Sequence, residues 1–400
     1  VFYYRSIDEN KKRDIISDVT FGRIACFRGD VSVKYRKAGL VAFIAAVVFM
    51  LPLSASASWK IVHQKSSGLV GYHRYLMRNI NDKKVHFVKV PKSYVHASGS
   101  THTIKSTKGT KVSFTTKYLL PSPGRNKARW GNPQSIAISK GRLMYVVYCP
   151  TNLKNKGQIV RYNLNTLDKL GIRSSPKLLQ SVYVKHKGKY SALQKRIQKA
   201  IKVGPMFTTG HGQSLAYNFK SGALYMWRDK EKSARVPTSM YGEIQHISPK
   251  SLRPDRMVRF KLSSGGMHLP GGHDLAFDKS GNAYFWTNPG AGGYVYKGKI
   301  SAKHVSFRLT HQIIKHLPGT RIQSMGYNPV RKRLYLVSDG SIASFSASRL
   351  KGRGSLTNSN FNWSSLSPKR ELEGLAFDKS GHGYLLSNRQ PEVLESSHRY

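Results

Sequence analysis

Residues 373–378 read Glu373-Gly-Leu-Ala-Phe-Asp378. Four earlier stretches follow the same grammar: Gln134-Ser-Ile-Ala-Ile-Ser139, Gln213-Ser-Leu-Ala-Tyr-Asn218, His273-Asp-Leu-Ala-Phe-Asp278 and Gln323-Ser-Met-Gly-Tyr-Asn328. After each hexad come a short polar turn and a second apolar run centred on a tyrosine: Tyr145, Tyr225, Tyr284, Tyr335 and Tyr384. The step from hexad start to tyrosine is 11, 12, 11, 12 and 11 residues. Apolar alternation on both sides of a turn is the pattern of a β-hairpin. Five copies at near-constant spacing mark a repeat architecture.

The hexads start 79, 60, 50 and 50 residues apart, so the underlying period is near fifty. A hairpin cannot fill fifty residues, but a four-stranded sheet can, and such sheets arrayed radially make a β-propeller. The expected fold is therefore all-β: a β-propeller of five blades, or six, with a short helical insertion. A β-sandwich with coincidental hairpins is the competing architecture. The small residues Ala137, Ala216, Ala276, Gly326 and Ala376 share one hexad position, where innermost strands would crowd towards an axis. Residues 58–125 carry no copy of the hexad and would supply either the closing strands of the last blade or a degenerate sixth blade.

The long first interval holds the clearest helical pattern. From Tyr190 to Lys202, the residues Leu193, Ile197, Ala200 and Ile201 fall on one face and Lys195, Arg196, Lys199 and Lys202 on the rest. It reads as an insertion packed on a blade; a basic amphipathic helix lying on an anionic membrane is the other reading.

The chain has 400 residues with 67 Lys+Arg against 19 Asp+Glu, a formal net charge of +48. Its 39% hydrophobic and 11% aromatic content is enough to bury a core, which excludes a charged disordered chain. Two cysteines, Cys26 and Cys149, allow neither a stapled fold nor a four-cysteine zinc site.

Lys34-Tyr-Arg-Lys37 precedes an uncharged stretch from Ala38 to Leu53, which is followed by Ser54-Ala-Ser-Ala-Ser58. Basic, apolar and small-residue segments in that order make a signal peptide over residues 31–57 cleaved after Ala57. A bilayer span takes roughly 20 residues, and this stretch is shorter and contains Pro52. Residues 1–30 read as a mis-annotated upstream start, leaving 58–400 as a single exported propeller domain, expected to be a monomer without a transmembrane anchor. That portion keeps 58 Lys+Arg against 14 Asp+Glu, or +44. With one thiol left, the expected setting is a Gram-positive secretome.

In a propeller the start of each innermost strand faces the channel mouth, so Gln134, Gln213, His273, Gln323 and Glu373 should form a ring there. Asp274 follows His273, and His211 precedes Gln213 in Gly210-His211-Gly212. A glycosidase needs two carboxylates astride one bond, and the ring offers Glu373 and Asp274 alone. His211, Gln213, His273 and Glu373 could hold a divalent ion, although no spacing motif supports a metal site; no other cofactor is expected. Serine hydrolase chemistry has no Gly-x-Ser-x-Gly elbow. Three amides among five ring residues favour a binding surface, since an amide hydrogen-bonds but is neither acid, base nor nucleophile.

Trp227 and Trp286 occupy equivalent blade positions filled elsewhere by Val147, Val337 and Leu386, which points to packing. Trp130, in Lys127-Ala-Arg-Trp130, and Trp363, in a Ser/Asn-rich loop, are the candidates for exposed platforms. The cations are dispersed along the chain, and so few acids leave most unpaired. Such a surface attracts polyanions with a steep salt dependence. Outside a Gram-positive cell the abundant polyphosphate is teichoic acid, whereas export makes specific nucleic-acid recognition an unsuitable role.

The stretch Gln134-Ser-Ile-Ala-Ile-Ser-Lys-Gly-Arg-Leu-Met-Tyr-Val-Val-Tyr148, continued by Gly157-Gln-Ile-Val-Arg-Tyr-Asn-Leu-Asn-Thr-Leu-Asp-Lys-Leu170, resembles a blade of the helveticin J-like proteins. Those are large heat-labile bacteriocins of lactobacilli. Asp278-Lys-Ser-Gly-Asn-Ala-Tyr284 and Glu371-Leu-Glu-Gly-Leu375 are similar to later parts of that family. The resemblance spans roughly residues 130–390 and implies a secreted propeller of lactic acid bacteria. The signal segment and the extreme charge depart from the family's pattern, and no catalytic residue is carried over.

The expected function is thus non-enzymatic binding of anionic cell-wall polymer or surface glycan by an extracellular protein held on the wall by charge. The alternatives are a helveticin-like bacteriocin acting on related bacteria, and a polysaccharide lyase or glycoside hydrolase working at the channel mouth.

Overall fold

Each hexad forms the innermost strand of a four-stranded antiparallel unit, and each tyrosine run is its partner. The pairing register sets Ala137 opposite Tyr145, Ala216 opposite Tyr225, Ala276 opposite Tyr284, Gly326 opposite Tyr335 and Ala376 opposite Tyr384. The hexad's small residue is therefore the cross-strand partner of a large ring, which fills the space the missing side chain leaves. The structure is a computed structural model that describes residues 59–71, 86–96, 99–121, 130–149, 155–183, 189–228, 241–264, 267–268, 274–288, 292–314, 316–367 and 369–400. The signal-peptide and start-site expectations on residues 1–57 lie outside them.

In the first unit the innermost strand Asn132–Ile138 is followed outward by Leu143–Cys149, Lys156–Asn163 and Ile201–Val203. The second unit runs Ala216–Asn218, Ala223–Trp227, Tyr241–Ile247, Pro254–Lys261; the third Ala276–Phe277, Ala283–Thr287, Gly293–Ile300, Val305–Ile313. Ser324–Asn328, Arg333–Ser338, Ser341–Ser346 and Phe361–Ser367 make the fourth. The fifth takes Leu372–Phe377, His382–Ser387 and Glu392–Arg399 from the C-terminal end and Ser113–Leu119 from the N-terminal side. Neighbouring innermost strands touch in a cycle that runs from the first unit to the fifth and back to the first. The chain is all-β and propeller-like. Close approach at the axis explains the small hexad residue again: a Cβ on Gly326 would lie 2.6 Å from the Leu375 carbonyl of the next unit.

Residues in the 58–125 region add strands to existing sheets. Thr103–Gly109 pairs with both Ser113–Leu119 and Phe361–Ser367, so the fourth and fifth units share one nine-stranded sheet. Lys60–Ser67 runs parallel along the outer edge of the second unit, and Gly354–Leu356 does the same on the third.

The last residue of each hexad builds the turn. Asp278 Oδ1 accepts the amides of Ser280 and Asn282, and Asp378 Oδ1 accepts those of Ser380 and His382. Asn218 and Asn328 do the same for Lys220 and Ser221, and for Val330 and Arg331. Asx side chains hold such turns by bonding amides two residues on. Every turn contains a residue in the left-handed region: Arg142 (φ 57), Gly222 (φ 73), Gly281 (φ 76), Lys332 (φ 53) and Gly381 (φ 84). Gly222 and Lys332 sit one place further from the hexad than the others do. That extra residue is why the tyrosine spacing alternates between 11 and 12.

The helical insertion comprises α1 (Leu164–Lys169), α2 (Lys177–Ser181) and α3 (Ala192–Lys199). The last corresponds to the expected helix but is shorter at both ends: Ser191 closes a capping box with Gln194, and residues 201–203 are strand. Ile197 is fully buried, and Leu193, Ala200 and Ile201 pack into the first unit's core. None of the described helices is long and apolar enough to cross a membrane.

Thr116 and His102 tie the N-terminal strands to a buried ion pair of the C-terminal unit. Arg370, 1% exposed, reaches Glu392 Oε1 at 2.6 Å and donates to Ser387 Oγ at 2.7 Å. Thr116, on the closing strand, donates to Glu392 Oε2 at 2.9 Å, and His102 Nε2 lies 3.4 Å from Oε1. The two charges and their donors come from both ends of the described chain.

Glu392→Gln should cost about 3–5 kcal/mol in denaturant unfolding, because it strands the Arg370 charge inside. The double change Arg370→Met with Glu392→Leu should cost less than that single change; a Glu392→Gln penalty below about 1 kcal/mol would rule out the pair as the closure. Gly222→Ala should cost about 1–2 kcal/mol for its left-handed backbone. Gly381→Ala should cost more, since its Cβ would also meet Asn328 Oδ1 at 3.0 Å.

Candidate functional site

The channel between the innermost strands is lined by the apolar hexad positions, among them Ile136, Leu215, Leu275, Met325 and Leu375, around a cavity of about 40 Å³. That is room for a few waters at most, and the channel waist cannot hold a sugar. Any chemistry would have to sit at the mouth, where the hexads begin.

There the side chains of Gln213, Gln323 and Glu373 come together. Gln213 donates to the side-chain oxygen of Gln323, across the second and fourth units, and Gln323 donates to Asp339 Oδ1 at 2.6 Å. Glu373 is hydrogen-bonded by Gln213 and by Asn388. Tyr94 closes the other side of Asp339, donating to Oδ2 at 2.5 Å, with Arg321 3.6 Å from the same oxygen. The guanidinium of Arg389 lies over the Tyr94 ring at 5.2 Å and pairs with Glu371 at 2.8 Å.

The other expected ring members fall elsewhere. Gln134 is buried, with its amide on the adjacent Pro133 carbonyl and its Oε1 unpartnered. His211 is half-buried beside Gly212, whose φ of +87 and position, where a Cβ would lie 2.9 Å from Val147, exclude a side chain. His273 lies outside the described residues. Asp274 is not part of the cluster: its Oδ1 accepts the Trp286 amide at 3.0 Å, as Ser214 accepts that of Trp227 at 2.9 Å. It caps a strand, so the pairing of Glu373 with Asp274 across a scissile bond is corrected. The acids that act on Glu373 are Glu371 and Asp339.

Trp130 also departs from expectation. It is 5% exposed, edge-on to Tyr148 at 5.2 Å and against Tyr183 at 4.9 Å, and so serves as core in place of an exposed platform. Trp363 is half-buried against the largest apolar core, which also holds Trp227 and Trp286, both fully buried. Among the described residues no group of three or more His, Cys, Asp and Glu side chains has the geometry to hold a metal ion.

Asp339 and Asn388 were not expected at the mouth, yet the signal was present. Four residues after the blade tyrosines stand Cys149, Asp229, Asn288, Asp339 and Asn388. The second strand of each unit runs antiparallel to the first, so its end returns to the level of the hexad start.

Burial governs the chemistry of this cluster. Glu373 is 2% exposed, and its pKa is pushed well above the ordinary carboxylate range by desolvation, then by the charges of Glu371 and Asp339. Desolvation alone raises Asp274, and it also raises Asp339 against the bonds from Tyr94 and Gln323. Glu373 and Asp339 are thus buried acids set in a network of amide and hydroxyl donors, with Arg321 against Asp339.

No family model matches this chain, and no curated protein does. Solved structures with some likeness include a glucose dehydrogenase, 11% identical over 75% of this chain and 97% of that one, with a TM-score of 0.36. A luciferin-regenerating enzyme is 8% identical over 75% and 96%, at 0.35. The Malassezia sympodialis allergen Mala s 1 is 13% identical over 66% and 74%, also at 0.35. Likeness at this level carries no argument about activity.

The raised acids predict a pH dependence. Below the ordinary carboxylate range, folded and unfolded states both hold these protons; as pH rises, the unfolded state ionises first, so stability falls until the folded-state pKa is passed. Asp274→Asn and Glu373→Gln should each stabilise the fold more at about pH 8 than at about pH 4, read from denaturant midpoints. Equal effects at both pH values would contradict the assignment.

Proposed function

We propose that this chain is an exported, five-bladed, basic β-propeller that binds anionic cell-wall polymer or surface glycan and performs no chemistry on it. One observation carries the reading: among the described residues, every ion pair to a carboxylate uses Arg or His, and no lysine takes part in one. Of the three remaining described side-chain carboxylates, Asp274 and Glu373 are buried and Asp278 holds turn amides. The described acids are thus paired with Arg or His, buried or bonded to turn amides, which leaves the described lysines without a carboxylate partner.

A surface of that kind binds polyanions by releasing condensed counterions, so its affinity falls steeply with salt. The sequence features over residues 31–57 support export, where an anionic wall would be the standing partner. Buried, amide-screened acids at the mouth weigh against a lyase or hydrolase, because general acid catalysis needs a group within reach of the substrate.

Purified protein should sediment with isolated Gram-positive cell walls, with at least a tenfold loss of affinity between about 50 and 200 mM salt. Stripping the wall phosphopolymer should abolish the retention. Salt-independent binding, or hydrolysis of wall glycan that Glu373→Gln eliminates, would overturn the proposal; growth inhibition of related bacteria would shift it to the bacteriocin reading.

A further inference from the structure

The outer edge of the third unit carries a groove of about 430 Å³ lined by Lys297, Lys299, Arg308, Lys351 and Arg353, with no acidic residue on its walls. Two elements build it. Lys297 and Lys299 lie two apart on the strand Gly293–Ile300 and so share a face of the sheet. Arg308 is the direct cross-strand partner of Lys297 on Val305–Ile313. The parallel strand Gly354–Leu356 adds to that same outer strand, bringing the preceding loop Lys351-Gly352-Arg353 alongside. Gly352 has φ +90 and nothing within 4 Å of where a Cβ would stand, so its role there is the left-handed turn that presents its two charged neighbours.

Like charges directly opposite on a sheet are destabilising, and Lys297 against Arg308 is such a pair. None of the five cations makes an ion pair among the described residues; Lys297 has only the face of the Tyr284 ring, 5.8 Å from its ammonium, so no carboxylate offsets the repulsion. The remaining walls narrow the choice of anion. Phe307 and Leu350 are buried beneath the groove, and no exposed aromatic ring is available to stack on a base. Cations that converge from two elements suit a tetrahedral oxyanion, whose oxygens point several ways; a planar carboxylate is best met by one guanidinium fork.

We propose that this groove is the seat of a phosphate-bearing linear polymer, holding consecutive phosphate groups between the sheet pair Lys297 and Arg308 and the loop pair Lys351 and Arg353. The inference rests on the polyanion reading above and locates it on one face of one unit. Lys299 and the Ser306 opposite it extend the same face along the strand.

The test uses the whole protein and chain-length-defined inorganic polyphosphate, with binding followed by calorimetry over a salt series. The doubles Lys297→Gln with Arg308→Gln, and Lys351→Gln with Arg353→Gln, should each weaken binding by about ten- to a hundredfold and lower the log–log salt slope by about one to two. An equal charge loss on the exposed face of α3, Lys195→Gln with Lys199→Gln, should weaken it by no more than about two- to threefold. Five of the six substituted cations are exposed and Lys297 is half-buried, so each variant's thermal unfolding should match the parent closely enough to exclude misfolding. Three equal, small losses would overturn the groove while leaving a diffuse polyanion surface intact. Polyuronate of matched charge binding as tightly as polyphosphate would overturn the phosphate assignment. Failure of the parent protein to bind either polymer at low salt would remove the groove and the polyanion reading together.

Discussion

Five innermost strands can meet around a common axis only where each presents a residue with almost no side chain. That constraint runs through the whole molecule. The small hexad residue lets neighbouring strands approach to the point where a Cβ on Gly326 would strike the next backbone. Its cross-strand partner is then free to be a tyrosine, which returns the lost volume as buried aromatic surface. The same crowding leaves the channel waist with a cavity of only about 40 Å³.

Closure imposes a second demand. The fifth unit is assembled from both ends of the described chain, and its joint is made where Glu392 meets Arg370, Thr116 and His102. Burying two charges is costly unless their other bonds are satisfied; Ser387 and the Asn388 carbonyl take one guanidinium nitrogen, while Nε of Arg370 is left without a partner. Acids are scarce in this chain, and the fold places them where geometry matters most: at the closure, in the turns and at the mouth. The consequence among the described residues is that no lysine has a carboxylate partner.

The hairpin repeat, its period and the small residue at one hexad position were legible because they depend on local alternation and spacing. The positions of Trp227 and Trp286 in the core were legible for the same reason. Trp130 was misread because its basic neighbours in sequence say nothing of Tyr148 and Tyr183, which cover it from other elements. Asp274 was misread because a ring position defined along the strand does not reveal that its oxygen turns back onto the Trp286 amide. Helix α3 ends before Lys202 because the edge of the first unit recruits Ile201 to Val203 as a strand, a tertiary pairing that overrides the local period.

By itself the sequence determined the class of fold, the repeated unit and the excess of positive charge, all of which are sums or periodicities along one chain. Only the tertiary structure decided which acids act on Glu373, how the ends are joined, and that Lys297, Arg308, Lys351 and Arg353 line one groove. Those facts depend on distances between residues far apart in sequence, and such distances exist only once the strands have chosen their partners.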